Sequence, residues 1–323
     1  MSALVITNCT GRKRLRPGVP PVSLPSRLPG RSTQDGIQAL ASAWSSLLNN
    51  HEAAAIPAAD LYVGRAFSDA TSVAASLGAG LAVVSAGCGF VGGSEPVPPY
   101  ELTVADGPGS IQPRLAALGV TVRAWWSALN VSRGRTPLPL SSRLTEAGFG
   151  LVLIALPASY IELIAEDLEA IPTVMLSTIR VFTSPAGRHA LPERLQDQVL
   201  PYDERLDGDG SSRLGTRIDF PQRAMRHYVE DLGAASHSIA EGKEAVARAL
   251  SALIRPAVPE RRRATDQEIR ELLHLNWLVH RGQSSRLLRF LRDDALVACE
   301  QSRFRTLWGQ VRGERAPDTV GEA

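Results

Sequence analysis

Hydrophobic positions cluster into three short, nearly continuous runs at 3–7, 81–84 and 151–155, each followed at once by polar and glycine-bearing residues. Apolar runs of four or five residues bounded by turn formers fit buried parallel strands. The first run opens into Asn8-Cys9-Thr10-Gly11-Arg12-Lys13-Arg14, and the third into Leu156-Pro157-Ala158-Ser159-Tyr160. The second opens into 85–90 and reaches Pro98-Pro99-Tyr100-Glu101-Leu102-Thr103. Ligands of open parallel sheets sit outside the carboxyl ends of the strands, so three strand ends predict one pocket.

Between the runs the apolar spacing becomes helical. Residues 36–50 place Ile37, Leu40, Ala41, Trp44, Leu47 and Leu48 on one face, and the same periodicity predicts helices over 66–77, 111–129 and 140–147. A strand at 151–155, a helix over 159–168 and a strand at 173–177 make a βαβ unit, which implies a parallel sheet with a right-handed crossover. Residues 15–33 hold five prolines and predict a long loop. The polar stretch 187–214 predicts a mobile loop. Helices are expected over 221–232 and 236–254, with at least two more between 266 and 311. Thr265-Asp266-Gln267-Glu268 has the form of a capping box.

Composition adds limits. With 323 residues, 44% hydrophobic and 21% charged, the chain has material for one large or two modest cores. No apolar run approaches the roughly 20 residues of a spanning helix and no signal-peptide pattern is present, so a cytoplasmic location without membrane attachment is expected. Three scattered cysteines with no CxxC predict neither a disulfide framework nor a metal site. The net charge of +2 is unevenly placed: residues 1–36 carry six basic side chains against one acid, and residues 255–315 carry thirteen arginines against eight acids. Basic termini fit a polyanion-binding surface. A general preference for arginine over lysine, with Lys13 and Lys243 the only lysines, is the competing explanation.

Candidate chemistry follows the strand ends. Asn8 presents an amide and Cys9 a thiol beyond the first strand, with Lys13 and Arg14 as cations beside them. In 57–67, Asp60 is either a carboxylate of the site or a helix cap, while Tyr62 and Arg65 offer a stacking ring and a fixed charge. Ser85, Gly87 and Gly89 allow close backbone approach; Tyr100, aimed by two prolines, stands beside Glu101 and Thr103. Arg217, Arg223 and Arg226 surround the start of a helix, with Asp219 as its possible cap. Arg286, Arg289 and Arg292, spaced by three, form a stripe that either tracks phosphates or is a solvated face. The glycines match no dinucleotide or P-loop motif, so no cofactor is expected.

Taken in order, Cys9 to Lys13, Pro57 to Tyr62, Ser85 to Gly89 and Pro99 to Thr103 resemble the motifs of a bacterial family of uncharacterised α/β proteins. That family includes an antiphage DNA glycosylase excising glucosylated hydroxymethylcytosine, and it is distantly similar to peroxide-stress and uracil-DNA-glycosylase-like proteins. The resemblance covers roughly residues 1–232. It implies an α/β fold with a four-stranded parallel sheet flanked by helices. The organisation expected is thus a glycosylase-like domain over 1–232, a helical, arginine-rich nucleic-acid-binding domain over 233–315 and a disordered tail over 316–323. The Gly-Gln-Asp-Pro-Tyr and His-Pro-Ser motifs of the uracil enzymes are absent, so none of their catalytic residues is carried over.

The implied activity is hydrolysis of the N-glycosidic bond of a modified base in phage DNA, leaving abasic sites, with no obligate protein partner. Such chemistry needs a carboxylate near the anomeric carbon, donors to the departing base and a way to hold a flipped nucleotide. Asp60 or Glu101 would supply the carboxylate, Asn8 the donor, and Tyr62 or Tyr100 the stacking face. Cys9, Arg65, Ser85, Gly87, Gly89 and Thr103 would line the pocket, and Lys13, Arg14, Arg217, Arg223, Arg286 and Arg289 would meet the backbone. Scarce lysine favours simple hydrolysis over amine-dependent strand cleavage. A non-catalytic nucleic-acid-binding stress protein and a tRNA base-exchanging transglycosylase are the alternatives.

Overall fold

Alternation along the first strand sets the architecture. In β1 (Ala3–Asn8), Leu4 and Ile6 join one hydrophobic core and Val5 joins another on the opposite face. The period of two in a strand requires this split, and each face must then be covered by other elements. The computed structural model describes residues 2–15, 18–24, 33–51, 55–257 and 260–315.

The central sheet adds β2 (Gly80–Ser85), β3 (Gly89–Gly92), β4 (Leu151–Ala155) and β5 (Ile179–Phe182), in the order β3-β2-β1-β4-β5. Strands β2, β1, β4 and β5 run parallel, and β3 turns back antiparallel on the edge. The protein is therefore a mixed α/β structure with a five-stranded, mostly parallel sheet. The principal helices of this part are α1 (Thr33–Asn49), α2 (Arg65–Leu77), α3 (Val122–Ser132), α4 (Ala158–Leu163), α5 (Phe220–Arg226) and α6 (Ile239–Ser251). Trp44 of α1, Trp125 and Trp126 of α3 and Ile161 of α4 pack with Ile6 and Ile154 on one face. Val73 of α2, Met225 of α5 and Val246 and Leu250 of α6 pack with Val5 and Leu153 on the other.

Several expectations are corrected. The fifth strand was hidden because Gly89-Phe90-Val91-Gly92 reads as glycine-rich loop; Gly89, at φ +75°, makes the reversal that pairs it with β2. The strand expected at 173–177 lies instead at Ile179–Phe182, where all four residues are buried, while 173–178 form a short 3₁₀ turn with Val174 81% exposed. The helix expected over 111–129 breaks at Gly119, φ +65°, and that over 159–168 breaks at Ile164. The stretch 187–214 is no free loop. Leu191, Leu195, Leu200 and Leu206 are buried, and Val181 of β5 bonds Gln198 O and Leu200 N at 2.9 and 3.0 Å.

The chain divides into two compact units after Pro256 rather than near residue 232. Helix α6 lies in the first unit because Val246 and Leu250 complete its second core. The second unit, taken by itself, contains α7 (Asp266–Asn276), α8 (Ser284–Arg289) and α9 (Gln301–Arg315) around Ile269, Leu273, Leu287, Leu291, Phe304, Leu307 and Val311. Thr265 and Glu268 form the reciprocal capping box. The expected tail over 316–323 lies outside the described residues. Among the described residues no helix is long and apolar enough to cross a membrane.

Candidate functional site

Where β1 ends, the backbone stays tied to the sheet: Cys9 N donates to Val84 O at 3.0 Å. Its side chain turns into a buried polar cluster. Cys9 Sγ lies 3.1 Å from the Tyr160 hydroxyl and accepts from Ala86 N at 3.5 Å. Ser85 Oγ is the hub, 2.6 Å from Tyr100 OH, receiving Tyr62 OH at 3.2 Å and Cys88 N at 2.9 Å. Tyr62 and Tyr100 hydroxyls stand 2.9 Å apart. Burial raises the pKa of all three tyrosines, so the hydroxyls stay protonated and serve as both donors and acceptors. Burial likewise pushes the Cys88 thiol up to about 12, leaving it an unreactive neutral group.

Tryptophans hold the loop that carries Ser85. Trp125 Nε1 donates to Ala86 O at 2.8 Å and Trp44 Nε1 to Gly87 O at 2.6 Å. A Cβ on Gly87 would come 2.5 Å from the Tyr100 ring, so glycine is required for the loop to pass over it. Gly89 has a comparable reason: a Cβ would meet Asn130 Oδ1, the acceptor for Phe90 N. These glycines are packing residues. The same burial corrects the stacking role expected of the tyrosines. Tyr62 and Tyr100 are 2% and 1% exposed, so their rings form the floor of the site.

Lys13 covers that floor. Its backbone bridges antiparallel to Tyr62, its Nζ donates to Thr10 O at 3.0 Å, and the ammonium lies 4.1 Å from the Tyr100 ring centre. Burial lowers its pKa from 10.5, and the Glu101 carboxylate opposes the shift. Lys13, Glu101, Thr103, Gly11 and Gly109 line a cleft of about 250 Å³. Tyr100, expected to be aimed by the prolines before it, also stands in a two-residue strand, since Tyr100 and Glu101 pair parallel with Val22 and Ser23. Part of the proline-rich loop thereby braces the site.

On the opposite face of β1, Gln222 of α5 is fully buried. Its Nε2 reaches Asn8 Oδ1 at 2.9 Å, Ala155 O at 2.9 Å and Thr7 Oγ1 at 3.1 Å. Asn8 Nδ2 donates to Cys9 O at 2.8 Å, its one hydrogen bond as a donor among the described residues. Asn8 shares the strand end but is not among the residues lining the cleft.

Other candidates lie apart. Asp60 is exposed in the first turn of the short helix Ala58–Leu61, whose N-cap is Pro57, and it neither caps that helix nor lines the cleft. Arg65 is exposed at the start of α2, 4.0 Å from Asp69. Arg14 and Arg217 are exposed. Arg223 is not available to phosphate: it is completely buried, ion-paired to Asp219 at 2.7 Å and Asp207 at 2.8 Å, and donates to Thr216 O. Asp219 precedes α5 but spends its carboxylate on Arg223 and Thr216 N. In the second unit Arg286 and Arg289 are exposed, whereas Arg292 turns onto Cys299 O and breaks the stripe.

Three contributors escaped the sequence. Tyr160 belongs to a recognised strand-end segment but had no assigned role, and Asn130 and Gln222 sit in ordinary helical patterns where nothing marks a buried amide. Among the described residues no cluster of three or more His, Cys, Asp or Glu is arranged to hold a metal ion. No protein-family model, curated protein or solved structure matches the chain.

Proposed function

We propose that the chain is a DNA glycosylase that hydrolyses the N-glycosidic bond of a modified base, with α-glucosyl-hydroxymethylcytosine of phage DNA as its target. The observation that carries the reading is one cleft, at the carboxyl ends of parallel strands, lined by both Glu101 and Lys13. Four parallel strands between two helical layers also agree with a uracil-DNA-glycosylase-like plan.

In this reading Glu101 stabilises the cationic sugar and activates the attacking water. Asn8, held by Gln222 at the same strand end but outside the cleft lining, fixes the end of β1 rather than meeting the base. Cys9, Ser85, Tyr62, Tyr100 and Tyr160 keep the floor rigid, which reduces reorganisation during the reaction. A cleft of about 250 Å³ is of nucleobase size rather than drug size, so the glucose of the target lies beyond it. Exposed Arg14, Arg217, Arg286 and Arg289 serve as phosphate contacts. Antiphage defence is the biological role that follows.

The test compares unmodified, hydroxymethylated and glucosylated hydroxymethylcytosine duplexes, probed with an aldehyde-reactive reagent after incubation. Abasic sites confined to the glucosylated duplex support the proposal. Salt-dependent binding with no abasic sites in any duplex would replace it with a non-catalytic binding protein.

A further inference from the structure

We propose that Lys13 Nζ is a catalytic amine that condenses with the C1′ aldehyde of an abasic deoxyribose held in the Glu101 cleft. This rests on the glycosylase reading, which produces that aldehyde, and departs from the simple hydrolysis that scarce lysine predicts.

The placement is specific. Lys13 is held by its backbone bridge to Tyr62 and by the Nζ bond to Thr10 O, which fixes the position of the amine, and Lys13 is one of the residues that line the cleft. Glu101 lines the same cleft. Burial withdraws this ammonium from water and makes it give up its proton more readily than an exposed lysine, against the favourable contact with the Tyr100 ring, and the neutral amine is the nucleophile. The chain has one other lysine, Lys243, on α6 and away from the cleft. Arginine would keep the charge over Tyr100 yet has no amine to give.

The step balances without any redox partner. The Nζ lone pair adds to C1′ of the ring-opened sugar, and the carbonyl electrons pass to oxygen, which takes up a proton as the nitrogen loses one. A proton relayed from solvent by Glu101 then reaches the carbinolamine hydroxyl, which leaves as water. The C1′–N double bond forms, and the remaining N–H proton returns the balance to Glu101. Amine and aldehyde become imine and water.

The experiment uses the full chain with a duplex carrying a preformed abasic site and sodium cyanoborohydride as the trapping reductant. A covalent protein–DNA adduct is expected, mapped by peptide mass spectrometry to Lys13, lost in Lys13→Arg and retained in Lys243→Arg. Mapping is done on the unsubstituted protein, so it stands even if Lys13→Arg fails to fold. Absence of an adduct, or an adduct on Lys243 or the α-amine, overturns the inference. Base release from the glucosylated duplex is measured in parallel. Release without an adduct removes the Lys13 role and keeps the glycosylase; an adduct without release supports the amine and removes the glycosylase.

Discussion

Gln222 Nε2 donates to Asn8 Oδ1 at 2.9 Å, joining the helix that follows the sheet to the end of its first strand. The same nitrogen serves Thr7 Oγ1 and Ala155 O, so one buried amide sets the geometry of two adjacent strand ends. Its own Oε1 is buried with no hydrogen-bond partner among the described residues. Gln222→Met removes a donor whose two hydrogens are shared among these three acceptors, and a destabilisation of about 1–3 kcal/mol follows. Urea denaturation measures it; an unchanged midpoint would mean that the contact has no energetic weight.

Arg223 makes a harder case. Two carboxylates and backbone carbonyls surround a guanidinium with no solvent exposure. Removing one partner of a buried ion pair typically costs about 3–5 kcal/mol. Arg223→Met is therefore expected to unfold at markedly lower denaturant. A surface arginine used only for phosphate contact would leave stability unchanged.

Glu101 and Asp60 separate cleanly. Only Glu101 lines the cleft, so Glu101→Gln should lower base release by about 10²–10⁴-fold, with Asp60→Asn close to the unsubstituted protein. The reverse order in a single-turnover assay would move the catalytic carboxylate to the 57–62 segment.

Acid sensitivity has a local source in His227. It is 8% exposed, hydrogen-bonded through Nδ1 to Tyr202 OH at 2.8 Å, and burial lowers its pKa from 6.5. Asp231 opposes that shift and Arg213 adds to it. Between the lowered native pKa and 6.5 the unfolded chain binds the extra proton, so stability falls as pH drops below 6.5. Glu230 and Asp231, whose pKa values are lowered in the folded protein despite opposing desolvation, lose their contribution only below their ordinary 4.5 and 3.8. His227→Gln should flatten the upper part of this acid limb in a melting-temperature series. An unaltered slope just below pH 6.5 would assign it to another group.

The legible parts of the fold are those where local pattern and burial agree. Strands β1, β2 and β4 are continuous apolar runs, and α1 and the Thr265 capping box have strong local signals. The strand β3 was not legible because its two glycines signal a turn unless one knows that β2 lies beside it. The same tertiary dependence hid α6 in the first unit, since Val246 and Leu250 are core residues only when Val5 is opposite. At the site, the segments bearing Lys13, Tyr62, Ser85, Tyr100 and Glu101 do come together. What the residues do there depends on depth, which linear order does not encode: Tyr62 and Tyr100 became floor, Arg223 became core, and Gln222 became the link to Asn8.

The most direct test of the glycosylase reading is mass spectrometry of free bases released from glucosylated hydroxymethylcytosine DNA by the unsubstituted protein and by Glu101→Gln. The account predicts one glucosylated base released for each abasic site formed, none from unmodified DNA, and release lost in the Glu101 variant. Intact glucosylated DNA after prolonged incubation with folded protein would contradict it.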